Sequence, residues 1–159
     1  MRKLENIPFE ELKVGSRDSL TRTLTEQDLL LFAKVSGDTN PVHLDKEFAA
    51  TTQFEGRIAH GMWTASLISC ALATKLPGPG GVYLGQELKF KYPVKLGDTV
   101  TVELEVLEIN ERRKRAKVST NVVNQDGKTV VKGTAEIMPA VEKVSVDEYP
   151  LPHVELYSR

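Results

Sequence analysis

Residues 61–75 read Gly-Met-Trp-Thr-Ala-Ser-Leu-Ile-Ser-Cys-Ala-Leu-Ala-Thr-Lys and carry no charge before the final lysine. A helix of this composition, small or apolar on every face, is expected to be wrapped by protein on most sides. At 15 residues it falls short of the ~20 that a bilayer crossing requires. The spacing therefore predicts a core helix that opens at Gly61, stops before Leu76-Pro77-Gly78, and needs a sheet to embrace it.

The sheet is legible downstream. Residues 86–92, 99–109, 114–123 and 129–138 alternate as strands, punctuated by turn residues at Leu96-Gly97-Asp98 and Gln125-Asp126-Gly127. The run from Thr99 to Val106 puts valines and a leucine on one face and polar residues on the other, the pattern of a strand with one wet side. Upstream, a short strand-like piece covers 20–24. A helix is expected over 26–35, with Thr25 as N-cap, Glu26 and Asp28 in its first turn, and Gly37 as its stop. Pro41 opposes helical continuation, and a second short helix is expected over 46–50. The fold class is thus α+β, an antiparallel sheet curled around one buried helix. Residues 1–138 form the domain. Residues 139–159, broken by Pro139, Pro150 and Pro152, form a tail lying on the surface or on a partner subunit.

Charge and cysteine usage narrow the partners. A chain of 159 residues with net charge −1 has no general electrostatic attraction to nucleic acid or to an anionic membrane. The dense basic cluster Arg112, Arg113, Lys114 and Arg115 reads as a solvated hairpin tip. The single Cys70 lies in an apolar run and reads as a buried thiol in a reducing compartment. No apolar run follows the early basic residues, so a secretory leader is not expected and the expected location is the cytoplasm.

Three groups of residues could carry chemistry. In Ser36-Gly37-Asp38-Thr39-Asn40-Pro41-Val42-His43 an acid and an imidazole stand five positions apart across a proline-broken turn. A folded loop could aim both at one point. Equally, Asp38 and Asn40 could simply make turn hydrogen bonds. Asp38 follows a helix C-terminus, where the dipole disfavours an acid, which weighs toward function. Next, Arg57-Ile58-Ala59-His60-Gly61-Met62 opens the core helix. Unpaired amides there could hold an oxygen gaining negative charge, and a glycine lets a ligand approach the main chain. Alternatively Gly61 permits close packing and His60 caps the helix. Last, Ser66 and Ser69 share a helix face, where such serines commonly bond back to the preceding turn. His153, among prolines, is a poor catalytic candidate. No cysteine/histidine spacing suits zinc and no phosphate loop follows a strand.

Taken together, Ser36 through Ala49, then Phe54, then Ile58-Ala59-His60-Gly61-Met62, then Tyr-Leu-Gly-Gln-Glu-Leu-Lys-Phe at 83–90 resemble the MaoC-like dehydratases. Within them, the single-domain (R)-specific enoyl-CoA hydratases match over 26–97. The resemblance implies a hot-dog fold and reversible, (R)-specific hydration of trans-2-enoyl-CoA. It implies Asp38 and His43 as the catalytic pair, the Gly61 amide on the thioester carbonyl, and Asn40 and Ser69 ordering the site. No role for His60 is carried over. The substrate is an acyl-CoA, with an acyl carrier protein as the alternative carrier. No metal or redox cofactor is needed, and the working unit is a homodimer or an assembly of dimers. A 3-hydroxyacyl carrier-protein dehydratase subunit is the sibling reading. A hot-dog thioesterase ranks lower because it normally lacks the paired Asp-x-Asn-Pro-x-His motif, and a non-catalytic acyl-CoA binder because it has no need of the acid–base pair.

Overall fold

The alternating segments pair into one five-stranded antiparallel sheet in the computed structural model, which describes residues 1–157. The strands are β2 (Arg17–Thr23), β3 (Val82–Phe90), β4 (Thr99–Asn110), β5 (Arg115–Val123) and β6 (Thr129–Met138), in the order β2-β4-β5-β6-β3. A further pair, β1 (Lys3–Glu5) and β7 (Ser145–Asp147), forms a separate ribbon. Period two decides which face is which. Val100, Val102, Leu104 and Val106 of β4 are buried together with Val118 and Val122 of β5. The intervening Thr99, Thr101, Glu103 and Glu105 turn to the other face, where Arg17 of β2 meets Glu105 at 3.0 Å.

The long helix lies against the buried face. Helix α1 (Glu26–Ser36), α2 (Pro41–Leu44) and α3 (Lys46–Ala50) precede α4 (Gly61–Thr74), whose Trp63, Leu67, Ile68, Ala71 and Leu72 join the core of the sheet. This is the hot-dog arrangement expected from the sequence. Ile68 is fully buried, and cutting such a side chain back to alanine costs about 2–5 kcal/mol.

One expectation about α4 is corrected. The helix is covered on one side, while Met62, Ser66, Ser69 and Cys70 are exposed. Cys70 is accordingly an exposed thiol and not a buried one. An uncharged helix face reads as buried from sequence, but a single sheet covers only the stripe that points into it.

Local chemistry explains the helix before the site. Thr25 caps α1 and forms a capping box with Asp28, each side chain bonding the other's backbone N–H. Gly37 ends it in the left-handed conformation, φ 78°, which glycine adopts without a Cβ penalty. Helix α1 does not continue through Pro41, as expected, but Pro41 itself starts the short helix α2, which was not foreseen, because proline is welcome at a first helical position, where no N–H is needed. The strand expected over 86–92 begins earlier, at Val82, and ends at Phe90.

The chain termini are tied together. Strand β7 pairs antiparallel with β1, and buried Asn6 bridges to the same segment, donating to the Glu142 carbonyl at 2.9 Å and accepting from the Val144 amide at 2.8 Å. Neither three-residue strand carries a readable period. Farther on, Gln27 of α1 donates to the Val154 carbonyl at 3.1 Å, so the tail returns to the first helix at Val154. The basic hairpin tip behaves as expected: Lys114 pairs with Glu10 at 2.8 Å and covers the Phe9 ring, and Arg115 pairs with Glu136. No described helix is long and apolar enough to cross a membrane.

Candidate active site

The loop from α1 into α2 brings the sequence-flagged acid and imidazole together. Gly37 turns the chain out of α1, and the Asp38 Oδ1 accepts the Asn40 amide at 3.1 Å. Asn40 Oδ1 in turn accepts the Val42 amide and caps α2. The turn hydrogen bonds foreseen as a structural role for both residues are therefore present, and they coexist with the geometry of a site. That one helical turn carries His43 round to face back, so that its Nε2 stands 3.9 Å from Asp38 Oδ2. Asp38 is half-exposed and His43 is buried.

The protonation pattern of His43 follows from its partner. Its Nδ1 lies 2.8 Å from the Ile58 carbonyl. A carbonyl oxygen accepts and never donates, so in the neutral ring Nδ1 holds the hydrogen and Nε2 holds a lone pair. Two acceptors, a carboxylate oxygen and an imidazole nitrogen, thus face each other across a gap too long for a direct hydrogen bond. A water molecule fits such a gap, donating one hydrogen to each.

The opening of α4 supplies the third element. His60 is its N-cap residue and makes no side-chain cap bond. Its ring stacks on that of His43, with centroids 3.8 Å apart, and its Nε2 lies 3.0 Å from the Asp38 carbonyl. Gly61 follows directly, exposed, with a first-turn amide that has no protein acceptor among the described residues. A Cβ added at Gly61 would lie 3.0 Å from the Phe90 ring. Close packing is thus real here too, and Phe90 is the contact that sequence inspection missed. Gly61 and Phe90 line one cleft with Phe54, Thr64 and Val94, about 280 Å³ in volume.

Ser69 stands apart. Eight residues beyond Gly61, it is displaced along the α4 axis by about 12 Å at 1.5 Å per residue. It borders a small apolar pocket of about 70 Å³ with Leu72, Pro77, Tyr83 and Ile137. Burial pushes the Tyr83 phenol above its ordinary value, and its hydroxyl donates to Gln86. Within one chain, then, Asp38, Asn40 and His43 share the loop and turn that His60 holds at the start of α4, Gly61 is the next residue after His60, and Ser69 stands apart from all of them. Ser66 bonds back to the Trp63 carbonyl, as helical serines commonly do. His153 is exposed beside Glu155.

Asp38, His43 and His60 hold possible ligand atoms within 4.8 Å of one another. The two imidazoles are stacked with only 25° between their planes. In-plane lone pairs of stacked rings do not converge on one ion, so the donor set is ill-shaped for a metal.

Comparison with known proteins adds an independent line. Residues 10–128 match the family described as MaoC like domain. The chain is 46% identical over 130 residues to the (R)-specific enoyl-CoA hydratase of Rhodospirillum rubrum, covering 82% of this chain and 90% of that one. It is 44% identical over 135 residues to the 3-hydroxybutyryl-CoA dehydratase of Methylorubrum extorquens, covering 82% and 86%. Among solved structures, the unliganded R-hydratase PhaJ1 from Pseudomonas aeruginosa superimposes with a TM-score of 0.95 at 55% identity, covering 98% of this chain and 99% of that one.

Proposed function

The chain belongs to the MaoC-like domain family, and on that premise we propose that it hydrates trans-2-enoyl-CoA to (R)-3-hydroxyacyl-CoA and catalyses the reverse dehydration. The relatives named above are hydro-lyases acting on CoA thioesters. The observation that carries the reading is the pair of facing acceptors, Asp38 Oδ2 and His43 Nε2, 3.9 Å apart beside the start of α4.

Hydration needs a base for water and an acid for carbon. A water held by both acceptors presents its own lone pair outward, toward the β-carbon of the substrate. As the new C–O bond forms, one acceptor takes a water proton and the C=C electrons move toward the α-carbon and the thioester oxygen. The proton is then delivered to the α-carbon on the same side. General acid–base groups of this kind contribute about 10²–10⁴-fold. The developing oxyanion lies at the Gly61 amide, where one well-aimed backbone donor is worth ~3 kcal/mol. Asn40 acts indirectly, by capping the turn that carries His43. Ser69 borders the path of the acyl chain rather than the reacting carbons.

The working unit is a homodimer. Strand β3 is an uncovered sheet edge carrying exposed Val82, Tyr83, Leu84 and Phe90. It runs beside the uncharged exposed face of α4. Unpaired edges of this length invite a second strand, and a twofold contact between identical edges closes the assembly. The setting is the cytoplasm, and the carrier is coenzyme A, as in the names of the relatives from Rhodospirillum rubrum and Methylorubrum extorquens, with an acyl carrier protein as the alternative.

The test is a hydration assay on crotonyl-CoA and longer enoyl-CoAs, with chiral analysis of the product. The (R)-3-hydroxyacyl thioester is expected. Predominant (S) product, or release of free thiol without hydration, refutes the assignment.

A further inference from the structure

His60 is the buried titratable group of the site that the steps above leave without a task. We propose that it is a positioning residue, setting the separation and orientation of Asp38 and His43 by gripping the first through its backbone and the second through its ring. The proposal rests on those two residues being the acid–base pair.

The grip on Asp38 follows from how the loop is held. Apart from the Gly37 amide on the Ala33 carbonyl at 2.9 Å, which closes α1, the remaining local hydrogen bonds of residues 37–40 span two or three positions: the Asp38 amide to Ser36 Oγ at 3.2 Å, the Asn40 amide to Asp38 Oδ1 at 3.1 Å, the Val42 amide to Asn40 Oδ1 at 3.3 Å and the His43 amide to the Asn40 carbonyl at 3.0 Å. Such bonds shape the turn but cannot locate it relative to the rest of the fold. The His60 Nε2 contact to the Asp38 carbonyl, 3.0 Å long and spanning 22 positions, is the hydrogen bond that does. It ties a half-exposed loop to the N-cap residue of the core helix.

The grip on His43 is a stack. The Ile58 carbonyl fixes one atom of the His43 ring, and the His60 face 3.8 Å away restrains the ring plane, so that Nε2 stays aimed at Asp38. His60 is itself backed by Phe32, whose ring centroid is 5.1 Å away, and it is 2% exposed.

The unsatisfied atom argues the same way. Because the Asp38 carbonyl accepts, His60 Nε2 carries the hydrogen and Nδ1 is left with a lone pair. That Nδ1 is buried and has no partner among the described residues. An apolar ring would pack between Phe32 and His43 without leaving such an atom behind. Packing alone therefore gives no reason for imidazole at this position, whereas donation to Asp38 combined with a flat stacking face does.

Two measurements test this. Nitrogen-15 NMR of histidine-labelled wild-type protein, which has three histidines, should show His60 with Nε2–H and a bare Nδ1, and His43 with the opposite tautomer. An Nδ1–H tautomer at His60 overturns the proposal. Kinetics on crotonyl-CoA then compare His60→Ala, His60→Gln and His60→Phe. Misplacing a reacting group by about 1 Å can cost 10²-fold, so His60→Ala should lower kcat by about that factor with KM little changed. Gln keeps a donor for Asp38 and should recover part of the loss, while Phe keeps the ring without the donor. Thermal stability should rank Phe above Gln and activity should rank Gln above Phe. Activity that follows the stability order, or a folded His60→Ala with near-native kcat, overturns the proposal. If these variants fail to fold, the wild-type tautomer decides. A wild-type protein that does not hydrate crotonyl-CoA counts instead against the proposed function, and the tautomers still judge the grip.

Discussion

Replacing Asp38 by asparagine separates the chemical role of this residue from its structural one. The two side chains have nearly the same shape, and the amide oxygen of Asn can still accept the Asn40 amide that Asp38 Oδ1 accepts now. What changes is the second oxygen, which faces His43 Nε2 at 3.9 Å. There an acceptor becomes an NH₂ donor, so the water proposed to bridge the pair loses one of the two acceptors that orient it. The expected loss in kcat is about 10²–10⁴-fold, equivalent to ~3–5 kcal/mol at 1.36 kcal/mol per decade. Stability should move the other way. Asp38 stands just past the C-terminal end of α1, where a negative charge is disfavoured by about 0.3–1 kcal/mol. For a domain of this size ~1 kcal/mol shifts Tm by about 2–4 °C, so the variant should melt level with wild type or up to about 4 °C higher. Steady-state hydration of crotonyl-CoA and a thermal melt on the same preparation give both numbers. A well-folded Asp38→Asn enzyme with kcat within about 10-fold of wild type, below the usual range for such a group, refutes the assignment.

Three further outcomes are expected. His43→Ala should lose both activity and stability, because it strips the nitrogen proposed to take part in proton transfer and leaves the buried Ile58 carbonyl without its donor; the stability cost is about 1–3 kcal/mol, read by urea titration. Gly61→Ala should lower kcat/KM, since its Cβ meets the Phe90 ring at 3.0 Å and crowds the amide. If a Gly61→Ala, Phe90→Leu double variant with room for that methyl regains full activity, the loss was packing alone; a persistent deficit supports the oxyanion role. Light scattering coupled to gel filtration should give at least twice the mass of one 17.7 kDa chain. Cys70→Glu, harmless on an open helix face, should shift the protein toward monomer with loss of activity, and an unaltered dimer would remove this face from the interface.

Much of this protein is readable from local pattern, because its determinants are local. Period two marks β4, β5 and β6, and Thr25 and Gly37 bracket α1, since capping and alternation act over a few residues. The linked motifs around Asp38 and His60 point to the region of the site for the same reason. What lies between distant segments had to come from tertiary structure. Whether Asp38 and His43 meet depends on α2, whose Pro41 reads as a helix breaker until its position as first residue is known. The tautomer of His43 depends on the Ile58 carbonyl, fifteen positions away. The link between His60 and the Asp38 carbonyl has no sequence period at all, and neither has the β1–β7 ribbon. The clearest case is α4. Its composition announces a helix without a wet face, but composition does not say what covers each side. The sheet of one chain reaches Trp63, Ile68 and Leu72 and leaves Met62, Ser69 and Cys70 open. Burial is a property of the surface that arrives from elsewhere in the fold, and a run of residues can show its need for cover without showing where that cover comes from.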